Sequence, residues 1–205
     1  MPLTVLNRNL IVLLLAQMVF VSASALNVTL GGIVGSELAP TAALSTLPVS
    51  LTILGTALGT VPATLLMQRI GRRRGFVIAA CMGVAASLVA RTGVTSNSFV
   101  LFCSGTALTG VCLAFGQQFR FAAAESVALA KAGKAISLVL LGSIGGAIVG
   151  PELMARGNIV EANNPVTGAL LGAAGLFVIG ALLLAAYRDA PIQETTKEAQ
   201  GQPDQ

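Results

Sequence analysis

The chain has 205 residues, of which 55% are hydrophobic and 10% are charged, and its mean hydropathy is +0.85. Soluble domains carry about 25% charged residues, so this composition excludes an ordinary water-soluble domain. The chain contains no histidine, which excludes histidine-dependent zinc sites, Ser-His-Asp triads and haem ligation. Its formal net charge of +4 indicates nucleic acid or anionic lipid as a partner only if the basic residues form a patch.

Apolar stretches that are long enough to cross a bilayer recur six times along the chain. A membrane-spanning helix needs about 20 mainly apolar residues. The predicted spans are, in chain order, residues 10–35, 44–67, 75–90, 98–124, 135–155 and 166–187. The first apolar run is too long for a signal-peptide core, so we expect it to remain as the first helix. We therefore predict an all-α membrane protein, with a six-helix bundle over residues 1–187 and a disordered polar tail over residues 188–205.

The basic residues predict the orientation of this bundle, because Lys and Arg concentrate on the cytoplasmic side of membrane proteins. With Arg120 set aside as lying inside a span, nine basic residues fall on one side: Arg8, Arg69, Arg72, Arg73, Arg74, Lys131, Lys134, Arg188 and Lys197. The other side holds Arg91 and Arg156. We predict that both termini and the tail are cytoplasmic, in a bacterial inner membrane. The basic excess then reflects topology, and we expect no nucleic-acid partner.

The residue inventory argues against most membrane enzymes. Intramembrane serine proteases and lipid phosphatases use histidine, which is absent. A metal site built from clustered aspartates is excluded as well, because Asp189 and Asp204 in the tail are the only aspartates. The three cysteines, Cys81, Cys103 and Cys112, lie within apolar segments and are expected to be packing residues. We predict no enzymatic activity, no cofactor and no metal ion.

The connection between the second and third spans carries the first informative motif, T-L-L-M-Q-R-I-G-R-R-R over residues 64–74. It resembles the loop signature G-x-L-x-D-R-x-G-R-[RK] of the major facilitator superfamily, which lies at the same place in that family. The matching positions are Arg69, Gly71, Arg72 and Arg73, whereas Thr64 replaces the opening glycine and Gln68 the acidic residue. The resemblance implies a cytoplasmic gate loop formed by Gln68, Arg69, Gly71, Arg72 and Arg73. The substitution at Gln68 removes the carboxylate that forms an ion pair in the family.

The fifth span carries a second motif, G-G-A-I-V-G-P-E-L over residues 145–153. It is similar to the G-x-x-x-G-P motif of antiporter-like members of the same family. Gly146 and Gly150 predict a close helix crossing, and Pro151 removes a backbone donor and bends a helix. Together these three residues form a candidate pivot in helix five. The alternative is an ordinary kinked packing helix.

A third segment, F-R-F-A-A-A-E followed by K-A-G-K-A-I-S, looks like the end of the family's fourth helix and the basic loop into the fifth. The resemblance therefore covers nearly the whole chain. It implies the N-terminal six-helix half of a twelve-helix fold, in which substrate binds between two halves near the bilayer midplane. The expected partners are the bilayer, a small solute and a second six-helix half, either a C-terminal half or a second copy of the chain.

Candidate residues for the solute path come from the polar positions inside the spans. Arg120 is the strongest, since a charge within a span costs roughly 2.5–3.5 kcal/mol on the insertion scale and is usually functional. Gln117 and Gln118 precede it in the fourth span. The alternative for Arg120 is a position near the cytoplasmic end, from which its guanidinium reaches the headgroups.

The first span adds Gln17, Ser24 and Asn27, which fall within one broad helical face at 3.6 residues per turn. We predict that this face lines a cavity opposite the fourth span. The alternative is that these uncharged side chains form hydrogen bonds between helices.

These features favour secondary active transport of a small solute by alternating access, with the chain as one half of a major facilitator type carrier. The competing hypothesis is a non-transporting membrane subunit or assembly factor that binds another membrane protein. A channel is less favoured, because the sequence shows no ring of charges and no filter loop.

Overall fold

The computed structural model describes residues 7–162 and 164–187, which form helices and short turns. The helices are α1 (Arg8–Leu38), α2 (Leu47–Ile70), α3 (Arg72–Thr95), α4 (Phe99–Gly116), α5 (Phe119–Glu125), α6 (Ala132–Ala155), α7 (Gly157–Val160) and α8 (Pro165–Ala185). Single 3₁₀ turns at Ala42–Leu44 and Leu129–Lys131 precede α2 and α6. Within this part of the chain, six segments are long and apolar enough to cross a membrane. The predicted six-helix, all-α membrane fold is confirmed.

Four of the spans begin and end within three residues of their predicted bounds, whereas the third is longer than predicted and the fourth is interrupted. The third helix runs from Arg72 to Thr95, where the apolar run alone indicated residues 75–90. Arginines therefore occupy its first turn, and Arg91 lies within the helix, four residues before its end. The helix is longer than the apolar run because a helix continues through polar ends that a hydropathy pattern excludes. The fourth span consists of α4 and α5, which are separated by a turn at Gln117 and Gln118. The predicted tail, with Arg188 and Lys197, lies outside the described residues.

The bundle is built from long helix pairs. Helix α1 lies along α6, α2 lies along α4, and α3 packs against both α4 and α8. An aromatic cluster joins these pairs near the end of the bundle that carries the α2–α3 turn. Phe20 meets the rings of Phe119 and Phe177 edge-on at 5.0 and 5.4 Å, and Phe76 contacts Phe119 at 4.7 Å and Tyr187 at 5.9 Å. Edge-to-face aromatic pairs contribute about 0.5–1.5 kcal/mol each beyond the area that they bury.

Helices α2 and α6 are the least buried of the spans. Their outward faces carry large exposed hydrophobic residues: Ile53, Leu54, Leu58, Val61 and Leu65 on α2, and Leu140, Leu141, Ile144 and Ile148 on α6. Such continuous apolar surface is stable only against lipid or against another protein. Apart from its outward face, α2 contributes Thr56 to an open groove that it shares with α1 and α4.

Candidate functional site

The groove lies where α1, α2 and the end of α4 come together. It is a cavity of about 180 Å³ that is lined by Gln17, Phe20, Val21, Ser24, Thr56, Leu113, Gly116 and Gln117. Gln17, Phe20, Val21 and Ser24 share a face of α1, because positions three, four and seven apart superimpose on a helix. Half of the eight lining residues are apolar, and the other four carry uncharged side chains that can form hydrogen bonds. This composition is typical of a small-molecule site.

The structure brings three of the six predicted path residues to this groove, namely Gln17, Ser24 and Gln117. The amide of Gln17 also donates to the hydroxyl of Ser143 at 3.0 Å, which ties α1 to α6. This bond fixes the rotamer of Gln17 at the edge of the groove. Gln17 therefore combines the two interpretations that the sequence allowed for it, since it lines the cavity and also links helices.

Arg120 lies one turn beyond the groove, on the short helix α5. Its Nη2 atom donates to Oε1 of Gln117 at 2.6 Å. Arg120 is partly exposed and Gln117 is exposed, so the guanidinium reaches the groove through this amide without lining it. The hydrogen bond also orients Gln117, because its oxygen is engaged and its NH₂ group remains available to a solute.

Gln118 and Asn27 do not line the groove. Gln118 is buried, and its amide donates to the hydroxyl of Thr64 at 2.9 Å, which joins α5 to α2. Asn27 is only 8% exposed and lies in a separate, smaller cavity between α1, α3, α4 and α8. Ten residues correspond to a rotation of about 80° from Gln17 on a helix with 3.6 residues per turn. That rotation carries Asn27 around to the interior side of α1.

The predicted gate loop forms the tight turn between α2 and α3. Gly71 ends α2 and precedes α3 with φ 87° and ψ 156°, a conformation that is essentially limited to glycine. Arg69 and Arg73 are exposed. The loop therefore turns back within a single residue, and this places the arginines of the first turn of α3 beside the end of α5.

Arg72 forms the main polar contact of this loop. Its guanidinium donates two hydrogen bonds to the carboxylate of Glu125 at the end of α5, with Nε to Oε2 at 2.7 Å. Gln68, Arg72, Thr64 and Gln118 also line a cavity of about 110 Å³ at the same end of the bundle. Sequence analysis did not pair Arg72 with Glu125, because 53 residues separate them. Glu125 thus provides the carboxylate partner for an arginine of the gate loop, a role that the neutral amide of Gln68 cannot fill.

The predicted pivot of the fifth span lies in α6, and this helix packs against α1. A Cβ atom at Gly146 would lie 2.6 Å from the carbonyl oxygen of Met18, and one at Gly150 would lie 2.6 Å from that of Ser22. Both glycines are buried in this contact, whereas Pro151 is exposed. Helix α6 continues through Pro151 to Ala155. The absence of side chains at these two glycines therefore allows the close crossing of α1 and α6.

At the opposite end of the bundle, Arg91 of α3 contacts Glu161, which follows α7. Its Nη2 atom lies 3.2 and 3.3 Å from the two carboxylate oxygens. Hydrogen bonding from Thr167 is the main cause that lowers the pKa of Glu161, desolvation opposes it, and Arg91 adds to the lowering. The Arg91–Glu161 ion pair therefore links the end of the α7 segment to α3. Its one signal in the sequence is a pair of opposite charges on the same predicted side of the membrane.

Comparison with known proteins identifies the family. Residues 12–204 match the model of the Major Facilitator Superfamily, which is nearly the whole chain. The chain belongs to the Major Facilitator Superfamily. Its fold is the N-terminal six-helix half of the facilitator fold, as the motifs predicted. It is thus an integral, multi-pass membrane protein of a transporter family rather than of an enzyme family.

Two curated facilitator proteins are similar to the chain. The riboflavin transporter RfnT of Brucella anthropi is 41% identical over 151 residues, which cover 74% of this chain and 38% of that protein. The uncharacterized MFS-type transporter YdeG of Bacillus subtilis is 28% identical over 149 residues, which cover 72% of this chain and 34% of that protein. The chain therefore spans less than two fifths of the length of the curated relatives that it matches.

Proposed function

We propose that the protein forms one half of a secondary active carrier, which moves a small neutral solute across a bacterial inner membrane by alternating access. The observation that carries this proposal is the groove between α1, α2 and α4, where Gln17, Ser24, Thr56 and Gln117 meet in a chain of the facilitator family. Carriers hold substrate between two halves near the bilayer midplane. The groove is the part of this chain that fits that role.

The lining of the groove favours an uncharged solute. None of the eight residues that line it is charged, four have side chains that can form hydrogen bonds, and Phe20 contributes an aromatic edge. A relative with 41% identity is named a riboflavin transporter, and riboflavin is neutral, polyhydroxylated and aromatic. We infer that riboflavin, or a solute of the same chemistry, is the substrate. Arg120 then acts by holding Gln117 in place, because its guanidinium is already bonded to that amide.

The groove supplies only one wall of such a site. Its volume of about 180 Å³ is below the range of roughly 300–1,000 Å³ for pockets that enclose drug-sized ligands. A second six-helix half, seated on the outward faces of α2 and α6, would complete the enclosure. Native mass spectrometry of the extracted protein tests this inference. A mass above one protomer supports it, and a lone protomer that transports at full rate contradicts it.

The orientation follows from the basic residues, with Arg69, Arg72, Arg73 and Arg74 in the cytoplasm. The test is labelling of Arg73→Cys with a membrane-impermeant maleimide, in a background with Cys81 replaced by Ser because Cys81 is exposed. We expect labelling only after the inner membrane is permeabilised. Labelling of intact spheroplasts would reverse the assignment.

Uptake of radiolabelled riboflavin by a bacterial strain that can neither make nor import it tests the transport proposal. When this strain expresses the protein, we expect saturable uptake of riboflavin. Gln117→Leu should lower it about tenfold, because one lost hydrogen bond that leaves a polar group unpaired costs about 1–3 kcal/mol. Ser104→Ala is the matched control, since Ser104 is exposed on α4 outside the groove. Absence of uptake, together with a stable complex with another membrane protein, would favour a non-transporting subunit.

A further inference from the structure

A small cavity with a partly polar lining lies between helices of the bundle, apart from the groove. It occupies about 10 Å³ between α1, α3, α4 and α8, and its polar lining consists of Asn27, Ser87 and Thr109. These residues are 8%, 4% and 3% exposed. The remaining wall is apolar and includes Leu26, Leu170 and Phe177. No role assigned to the groove or to the gate loop involves this cavity.

Of the three polar side chains that line this cavity, Asn27 is the one whose hydrogen-bonding capacity is not met. Among the described residues, Ser87 donates to the carbonyl of Gly83 at 2.9 Å and Thr109 donates to the carbonyl of Gly105 at 3.0 Å. The amide of Asn27 forms no such bond within the described part of the chain, although it is more than nine-tenths buried. Burial of an amide without a hydrogen bond costs about 1–3 kcal/mol in proteins. The arrangement therefore lacks a ligand for this amide.

We propose that the cavity binds one ordered water molecule, which bridges Asn27 to Ser87 and Thr109. The volume is close to the ~10–15 Å³ that a single water requires. The hydrogen bonds also balance. Both hydroxyl protons are committed to backbone carbonyls, so the two hydroxyl oxygens face the cavity as acceptors for the two protons of the water. The NH₂ group of Asn27 donates to the water oxygen, which completes the three bonds that are typical of a buried water.

The water connects elements that otherwise share few polar contacts. Helix α3 packs on α4 and α8, whereas α1 packs chiefly on α6. The bridge joins Asn27 on α1 to Ser87 on α3 and to Thr109 on α4. Because lipid provides no alternative partner for these groups, the water stabilises one arrangement of α1 against the α3–α4 pair. The site accounts for a buried asparagine that lies ten residues from Gln17 and does not face the groove.

Water-edited solid-state NMR tests the proposal on the full chain in lipid bilayers, with ¹⁵N-labelled asparagine. Polarisation that starts on water should reach the side-chain amide of Asn27 at short mixing times. Loss of the signal in Asn27→Leu identifies it. In the double variant Ser87→Ala with Thr109→Val, both acceptors are lost, and we expect the transfer to fall at least threefold. Both replacements are close to the natural side chains in volume, so the helix content measured by circular dichroism should not change.

Ser104→Ala is the matched control, because its hydroxyl also donates to the carbonyl four residues earlier on the same helix as Thr109. Ser104 is exposed and does not line the cavity, so the transfer to Asn27 should stay at the wild-type level. A wild-type amide that receives no polarisation would show a dry cavity and overturn the proposal. Polarisation transfer to Asn27 that is as strong in the double variant as in the wild type would overturn the proposal as well. So would transfer that disappears when choline replaces Na⁺ and K⁺, because a bound cation would then be the ligand.

Discussion

Replacement of Gly146 by alanine tests the packing on which the bundle depends. The new Cβ would lie 2.6 Å from the carbonyl oxygen of Met18, which is about 0.8 Å inside the 3.4 Å at which ordinary contact begins. The obstacle is backbone on one side and the branched side chain of Val21 at 2.7 Å on the other. Neither can rotate away, so α1 and α6 must separate.

The cost of this separation follows from the loss of contact along the crossing. A gap of 0.5–1 Å forfeits a quarter to a half of each van der Waals attraction. Overpacking of a well-packed core costs typically 1–3 kcal/mol. Gly150 makes an equivalent approach to Ser22, so the separation also loosens that contact. We expect Gly146→Ala to lower the free energy of unfolding by about 2 kcal/mol.

The assay is SDS-induced unfolding of the purified protein in mixed micelles, followed by circular dichroism. Gly175→Ala is the matched control, because Gly175 lies inside α8 and its Cβ would meet no atom within 4 Å. Alanine is favoured over glycine in a helix by about 0.5–1 kcal/mol, so this variant should be as stable as the natural protein or slightly more stable. If Gly146→Ala unfolded at the same SDS fraction as Gly175→Ala, the close α1–α6 crossing would be refuted.

The remaining predictions concern the two ends of the bundle. Gly71→Ala should cost about 1–3 kcal/mol in the same assay, because alanine is strained at φ 87°; an unchanged transition would contradict this turn geometry. A double-mutant cycle of Arg72→Gln and Glu125→Gln should give a coupling energy of no more than about 1 kcal/mol, since both side chains are partly exposed. A larger value would show that the pair is shielded from solvent. The lowered pKa of Glu161 stabilises the fold above the usual carboxyl pKa, and this contribution is lost as the pH falls through the folded-state value. Glu161→Gln should therefore flatten the acid limb of stability against pH, and an unaltered limb would exclude Glu161 as its source.

The sequence predicted the number and the order of the spans, because a bilayer requires long apolar runs and leaves few alternatives. The resemblance placed Gly71 in the gate loop, and the positive φ of this residue explains why a residue without a Cβ stands there. The glycines of α6 were expected at a close crossing, and the structure places them there, against α1.

The parts of the site that could not be predicted depend on which helix faces which. Gln17 and Asn27 lie on one broad face by periodicity, yet only the neighbours of α1 decide that one meets the groove and the other meets α3 and α4. The Arg72–Glu125 contact joins residues that are far apart in sequence, so no local pattern contains it. Phe20 and Thr56 were not singled out, because an aromatic and a threonine within apolar spans indicate packing until the groove is seen.

The central claim is that the groove between α1, α2 and α4 binds the transported solute, and substituted-cysteine protection tests it most directly. Ser24→Cys, in a background with Cys81 replaced by Ser, should react with a small methanethiosulfonate reagent in membranes that contain the protein and its partners. Saturating riboflavin should slow this reaction at least fivefold, whereas the reaction of Ser104→Cys outside the groove should not change. Equal rates at Ser24→Cys with and without riboflavin, in membranes that transport it, would contradict the account.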